Sequence, residues 1–336
     1  MKIAIIGTTA WGTTLGVVLS RQGWQAMLWA QSEDESRKLN RDRENPRLPG
    51  IPLPQGLEVT ASLARALDGA GLVILAVPSQ TMRQNMCRIK EHLEKPMFIL
   101  SAAKGLEAET SKRMSQVMAE ELAPEPAAHI CVLSGPNLSG EIAHGLPATT
   151  VVAAQDHEVA KRVQEIVASP MLRVYTQTDI IGVELGGALK NIIALAAGMS
   201  DGLGFGDNAK ASLVTRGLAE ITRFGVACGA KAHTFFGLAG LGDLIATCAS
   251  PLSRNRFVGQ ELAKGRPLAE ILSSMKGTAE GINTTVATRK MAQELGVEMP
   301  ITEQVYQVLF EGLEIAKAVP ALMERELKHE LSGLEP

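Results

Sequence analysis

Aromatic residues are scarce in this chain. Phe, Trp and Tyr make up 4% of its 336 residues, so its cores must be aliphatic, with the 13 Met filling gaps. Cysteine is scarce too: Cys87, Cys131, Cys228 and Cys248 are scattered, with no C-x-x-C spacing. Neither a disulfide framework nor a metal site is expected, and a reducing, cytoplasmic compartment fits. Charge of one sign is nearly absent as an excess. The formal net charge is −3 and no basic tract occurs, so nucleic acid is not an expected partner. Small anions stay within reach, because they need only a few local positive groups. The most apolar stretch, Ile180 to Met199, is interrupted by Glu184, Lys190 and Asn191. Three polar groups at a bilayer centre are costly, so a buried core helix is expected there and no membrane span. The opening Ile3-Ala4-Ile5-Ile6 run stops at Gly7, too short for a secretory leader, and it is needed as a first strand.

Apolar residues at 46% and charged residues at 21% describe a well-cored globular protein, and the length suits two domains. The first half alternates between strand and helix patterns. Strands are expected at 2–6, 25–30, 72–77, 97–101, 130–133, 149–153 and 172–175, with helices such as 81–93 and 157–168 between them. Leu72–Val77 is apolar on both faces, as a central parallel strand should be, and Pro78 stops it. The expected fold class is α/β: an N-terminal Rossmann-like doubly wound sheet followed by an all-helical C-terminal domain. The domains divide as 1–179 and 180–336. Helices are expected at 179–199, 208–228, 234–249, 255–264, 281–295 and 302–318, with Thr178 or Asp179, Asp207, Thr234 and Thr302 as N-caps. The Pro- and charge-rich stretch 41–54 reads as a loop over the sheet edge.

The turn Gly7-Thr8-Thr9-Ala10-Trp11-Gly12 joins the first strand to the first helix, the place for a phosphate-binding glycine turn. Gly7 permits a tight turn and Gly12 close helix–strand packing. Thr9 stands where a glycine normally lets amides approach a pyrophosphate. Its side chain must turn away or offer its hydroxyl to a phosphate oxygen. An acid about 20 residues further on normally takes the ribose hydroxyls of NAD. The second strand ends instead at Gln31-Ser32, with no acid before Glu33. Gln31, Ser32 and Arg37 can contact a 2′-phosphate, whereas Glu33, Asp34 and Glu35 oppose one. The cofactor is NADP(H) or NAD(H), with a lean to NADP(H).

Lys104 follows a strand end at the ligand-binding edge of such a sheet, as do Gly135 and Asn137 in Ser134-Gly135-Pro136-Asn137. Lys190 lies inside an apolar helix with Gly186 and Gly187 three and four residues before it, which leaves room for a ligand or another backbone. A buried lysine needs a partner, so the choice is between a functional group and a structural salt bridge, for instance to Glu184. Asp243 sits among glycines and aliphatics. Ser253-Arg254-Asn255 open a helix, an arrangement that holds a phosphate. Gly277-Thr278-Ala279-Glu280-Gly281 looks like a ligand-facing turn.

These segments together resemble the bacterial NAD(P)-dependent glycerol-3-phosphate dehydrogenases. The matching runs are AAKGLEAET at 102–110, LSGPN at 133–137 and IIGVELGGALKNIIALAAGMSDGLGFGDNAKA at 180–211. They continue through TRGLAEITRFG at 215–225, GLAGLGDLIATC at 237–248, SRNR at 253–256 and VEMPITEQVYQVL at 297–309. The resemblance implies that Lys190 is the catalytic proton donor and acceptor. It implies that Lys104 contacts both substrate and cofactor, and that Asp243 lies near the reacting carbons. Ser253, Arg254 and Asn255 match the substrate-binding triplet, Arg254 also reaching the dinucleotide. Gly135 and Asn137 match the substrate turn, although Asn137 stands where threonine is common. Gly7, Thr9, Ala10, Trp11, Gly12, Gln31, Ser139, Thr278 and Glu280 fall at cofactor positions, and Ala10 has only its backbone to offer. The implied reaction reduces dihydroxyacetone phosphate to sn-glycerol 3-phosphate for glycerophospholipid biosynthesis, in a homodimer. A reductase of the same architecture acting on a hydroxy or sugar acid is one alternative. A dinucleotide-sensing regulator without turnover is another, and no basic DNA-binding element favours it.

Overall fold

The computed structural model describes all residues except 94–96, 123–128, 276, 325, 328 and 331–336. The chain forms two compact units, the first from Met1–Lys104 and Met114–Ile180, the second from Gly105–Arg113 and Ile181–Pro336.

The first unit is built on an eight-stranded sheet with the order β3-β2-β1-β4-β5-β6-β7-β8. Its strands are β1 (Lys2–Ile6), β2 (Gln25–Trp29), β3 (Leu57–Thr60), β4 (Ala70–Leu75), β5 (Phe98–Ser101), β6 (Ile130–Ser134), β7 (Ala148–Ala153) and β8 (Leu172–Gln177). Only the β6–β7 pair is antiparallel; β1 pairs in parallel with both β2 and β4, which places the reversal of strand order beside it. Helices α1 (Ala10–Arg21), α2 (Glu33–Asp42), α3 (Leu63–Leu67), α4 (Met82–Ile89), α5 (Met114–Glu121), α6 (Ser139–Ala143) and α7 (His157–Val167) connect the strands. Alternation along the strands produces the two-sided core. Ile3 and Ile5 of β1 join Leu28, Leu72 and Ile74 in one buried cluster, while Ala4 and Ile6 join Met27, Val73 and Leu75 in another. Successive side chains of a strand point to opposite faces, so a strand apolar at every position fills both layers.

The expected strands all appear, with boundaries within two residues. Two of the elements that the sequence did not reveal show why. β3 is a four-residue edge strand, and α2 is polar nearly throughout, with only Ser36 and Leu39 buried. Neither offers an apolar periodicity long enough to read.

The second unit is helical: α8 (Ile180–Gly202), α9 (Gly206–Ala227), α10 (Asp243–Ala249), α11 (Arg254–Ala263), α12 (Leu268–Ser274), α13 (Gly281–Leu295), α14 (Pro300–Phe310) and α15 (Ile315–Met323). Helix α8 is long and apolar enough to cross a bilayer, and 78% of its most apolar window is buried within the protein. The inserted segment 105–113 belongs here because Leu106 is fully buried in this unit's aliphatic cluster, and Arg113 pairs with Glu184 of α8 at 2.6 Å.

Four expectations for this half need correction. The stretch 234–249 is not one helix: a 3-10 turn (Ala232–Phe236) and a π-type turn (Leu238–Gly242) precede α10, so Thr234 lies inside the first turn and is not the N-cap of a helix. The stretch 302–318 is broken between α14 and α15, where Gly312 takes a φ of 72°. Helix α9 begins at Gly206, before Asp207. Thr302 is likewise inside α14, whose first residue is Pro300. The amides of Ile301 and Thr302 instead donate to the buried Glu220 carboxylate at 2.8 and 2.9 Å, and the Thr302 hydroxyl does so at 2.7 Å. Burial pushes the Glu220 carboxyl upward, against those hydrogen bonds. The capping acid thus comes from α9, 81 residues away in sequence, and local pattern could not reveal it.

Candidate functional site

The glycine turn of the first unit is tight, and two of its positions leave no room for a side chain. Gly7 adopts a φ of 111°, and a Cβ on Gly12 would stand 2.3 Å from the Gly7 carbonyl oxygen, so both positions need glycine. Thr9 is the N-cap of α1. Its hydroxyl accepts from the Gly12 amide at 3.0 Å and donates to the Ala76 carbonyl at 2.7 Å. The side chain is therefore turned into the protein, and the hydroxyl is not offered to a phosphate. With Gly12 capped, the amides of Ala10 and Trp11 remain at the first turn of α1, where a helix has no acceptor of its own. The buried indole N–H of Trp11 also has no partner among the described residues. These donors fit an anionic dinucleotide. Ser139 lies at the start of α6, against α1, its carbonyl accepting from the Thr14 hydroxyl at 3.1 Å.

The tip of β2 is less open than the sequence indicates. Gln31 is exposed. The Ser32 hydroxyl caps α2 by accepting from the Glu35 amide at 3.2 Å, and Arg37 pairs with Asp34 at 2.7 Å. Two of the three side chains expected to meet a 2′-phosphate are thus engaged within α2.

At the carboxyl ends of neighbouring β5 and β6, the Lys104 ammonium donates to the Gly135 carbonyl at 2.7 Å. Gly135 has a φ of 143°, with Thr150 packed close against it. Asn137 is committed to β7: its Oδ1 accepts from the Thr150 hydroxyl at 3.0 Å and its Nδ2 donates to Thr149 at 3.3 Å. Its side chain shapes the turn.

In the second unit, Lys190 and Asp243 are both buried and form an ion pair. The Lys190 ammonium also donates to the Thr247 hydroxyl at 2.6 Å, which in turn donates to the Asp243 carbonyl at 2.7 Å. Lys190 therefore does not pair with Glu184, which is taken by Arg113. The glycines beside it admit a backbone. A Cβ on Gly186 would stand 2.6 Å from the Ala239 carbonyl oxygen, and one on Gly240 would stand 2.1 Å from that of Phe235. This contact folds the Leu238–Gly242 turn against α8 and delivers Asp243 to Lys190; π-type turns recur at functional sites for such reasons. Cys248 takes no part as a nucleophile, because burial pushes its thiol up to about 12.

The triplet 253–255 opens α11. Ser253 is its N-cap, accepting from the Arg256 amide at 3.3 Å. Asn255 is buried; it donates to Asn191 at 2.9 Å and accepts from the Gly281 amide at 3.0 Å, tying α8, α11 and α13 together. Arg254 stays exposed and crosses Gly277, where a Cβ would stand 2.4 Å from its guanidinium. Thr278 is exposed, and Glu280 immediately precedes α13. Sequence reasoning missed Thr247 and Asn191. Thr247 lies four residues after Asp243, one turn along the same helix face, and that spacing could have identified it.

A family profile described as the N-terminus of NAD-dependent glycerol-3-phosphate dehydrogenase matches residues 2–160, and its C-terminal counterpart matches residues 179–320. The glycerol-3-phosphate dehydrogenase [NAD(P)+] of Dehalococcoides mccartyi is 53% identical, over 99% of this chain and 93% of its own length. That of Moorella thermoacetica is 50% identical, over 99% of this chain and 98% of its own. The crystal structure of glycerol-3-phosphate dehydrogenase from Coxiella burnetii superposes with a TM-score of 0.91 at 37% identity, covering 96% of this chain and 99% of that one. Profiles on both halves and relatives matched nearly end to end agree with the glycine turn and the buried lysine in one assignment. The chain belongs to the NAD(P)-dependent glycerol-3-phosphate dehydrogenase family.

Proposed function

We propose that the chain reduces dihydroxyacetone phosphate to sn-glycerol 3-phosphate, with Lys190 as its proton donor. The observation that carries this reading is a buried lysine held against a buried aspartate on a glycine-packed helix. A reduced nicotinamide, when bound, supplies the hydride for C2 of the substrate. Lys190 then protonates the alkoxide forming there, and in the reverse direction it takes the proton back. Asp243 and Thr247 hold the ammonium in one orientation, which the proton transfer requires. Arg254 and the first-turn amides of α11 anchor the phosphate, and that remote binding positions the carbonyl. Ser253 and Asn255 act on this end by fixing the helix start, since both side chains are used within the protein. Lys104 serves substrate and cofactor in the first unit, and Gly7–Gly12 the pyrophosphate.

The dinucleotide is NAD(H) or NADP(H). The lean to NADP(H) now rests on Gln31, because Ser32 and Arg37 are engaged. The supply of glycerophospholipid synthesis, a cytoplasmic location and a homodimer belong to the same reading and rest on the family resemblance.

The test is oxidation of NADH and NADPH with dihydroxyacetone phosphate or with dihydroxyacetone. Turnover is expected with the phosphate ester, at a kcat/KM at least about 100-fold above that of the unphosphorylated ketone, as loss of a charge-assisted anchor implies. Equal rates with both, or turnover with neither, would overturn the proposal.

A further inference from the structure

Glu35 has no role in the reaction as derived above, yet it occupies a telling place. It is the third residue of α2, and its carboxylate reaches back to the turn after β1. The Thr8 hydroxyl, just beyond β1, donates to it at 2.8 Å, and the Arg47 guanidinium does so at 2.6 Å. The Gln31 backbone, just beyond β2, also favours the ionised carboxylate. Burial pushes the carboxyl up, but the hydrogen bonds and the charge of Arg47 outweigh it and hold the group below its ordinary value. It is therefore ionised at neutral pH.

Arg47 is fixed from the other side. Asn45, fully buried, donates to the Thr8 carbonyl at 3.0 Å and the Thr13 hydroxyl at 2.6 Å, and accepts from the Arg47 amide at 3.0 Å. The loop after α2 is thereby anchored on the glycine turn, with the Arg47 side chain half in solvent at 52% exposure. The charges nearest Glu35 along α2 include Glu33 and Asp34, both exposed, Arg37, paired with Asp34, and exposed Lys38.

In a doubly wound sheet the adenosine ribose lies at the carboxyl end of β2, and a carboxylate there accepts from its hydroxyls. A 2′-phosphate at that point would face Glu35, with Glu33 and Asp34 behind it, while Arg47 is already bound to Glu35. We propose that Glu35 and Arg47 form the pair that chooses between the two dinucleotides: Glu35 takes the ribose hydroxyls and keeps Arg47 from a 2′-phosphate, so the site prefers NAD(H). The acid absent from the strand tip is supplied from the first turn of the next helix. This rests on the dehydrogenase reading above and reverses the lean drawn from Gln31.

Direct binding tests it without turnover. Dissociation constants for NADH and NADPH are measured by titration calorimetry on wild type, Glu35→Gln, and Glu35→Gln with Arg47→Ala, each checked for folding by circular dichroism. Wild type is expected to bind NADH about tenfold or more tightly than NADPH. Glu35→Gln should shift the ratio about tenfold or more toward NADPH, the size of one lost like-charge contact. Adding Arg47→Ala should remove most of that gain. A ratio unchanged in Glu35→Gln, or a wild type that binds NADPH more tightly, would overturn the proposal. Failure of both dinucleotides to bind wild type would overturn the dehydrogenase reading and this proposal with it.

Discussion

Replacing Lys190 with Met should lower kcat by about 10³-fold while leaving the dissociation constants for NADH and NADPH within about twofold of wild type. The size follows from the usual contribution of a positioned acid–base group, 10² to 10⁴. Met keeps most of the length and apolar stem of the side chain and removes only the ammonium. The complication is physical: Lys190 is 6% exposed and Asp243 1%, so the variant strands a carboxylate in the core. Breaking a buried pair on one side costs about 3–5 kcal/mol. A second replacement separates the two effects. In Lys190→Met with Asp243→Asn the buried charge is gone, and stability should return to within about 1–2 kcal/mol of wild type. Activity should not return. If the double variant recovered both, the pair would be a structural salt bridge and the proton donor would lie elsewhere.

The second large effect is expected far from any reacting atom. Helices α8 and α11 cross at backbone contact. A Cβ on Gly198 would stand 2.0 Å from the Arg256 carbonyl oxygen, and one on Gly259 would stand 2.1 Å from that of Leu195. Alanine at position 198 gains about 1 kcal/mol in helix propensity over glycine. The clash falls on backbone, which cannot swing aside, so Gly198→Ala should still lose about 3 kcal/mol net in urea unfolding. Because Ser253 caps α11 and Arg254 and Asn255 open it, forcing the helices apart should also move the proposed phosphate anchor. KM for dihydroxyacetone phosphate should rise about tenfold or more while dinucleotide binding holds. A stability within about 0.5 kcal/mol of wild type and an unchanged KM would show that the crossing tolerates a methyl group and does not set the anchor.

The legible parts of the sequence were those in which one local pattern reports one physical demand. Leu72–Val77 reads as a central strand because both faces are buried. Gly7 and Gly12 read as a phosphate turn because a Cβ cannot fit at either. Lys190 reads as special because an ammonium inside an apolar helix must be compensated. What stayed hidden was the identity of long-range partners. Asp243 is 53 residues from Lys190, and Glu184, nearer in sequence, faces Arg113 instead. The substitution at Thr9 left two possibilities open, and only the Ala76 carbonyl, 67 residues away, decides between them. Glu35 reads in the sequence as one of three acids at a helix start that oppose a 2′-phosphate, with nothing to single it out. Its distinction is the hydrogen bond from Thr8, which no spacing rule contains.

The central claim is a direct hydride transfer to C2 of a phosphorylated three-carbon ketone. It is tested most directly by supplying the purified chain with dihydroxyacetone phosphate and a reduced dinucleotide deuterated at the transferring C4 position of the nicotinamide, then analysing the product by mass spectrometry. The expected product is sn-glycerol 3-phosphate carrying one deuterium, located at C2. Unlabelled product, label at another carbon, or no glycerol phosphate at all would contradict it.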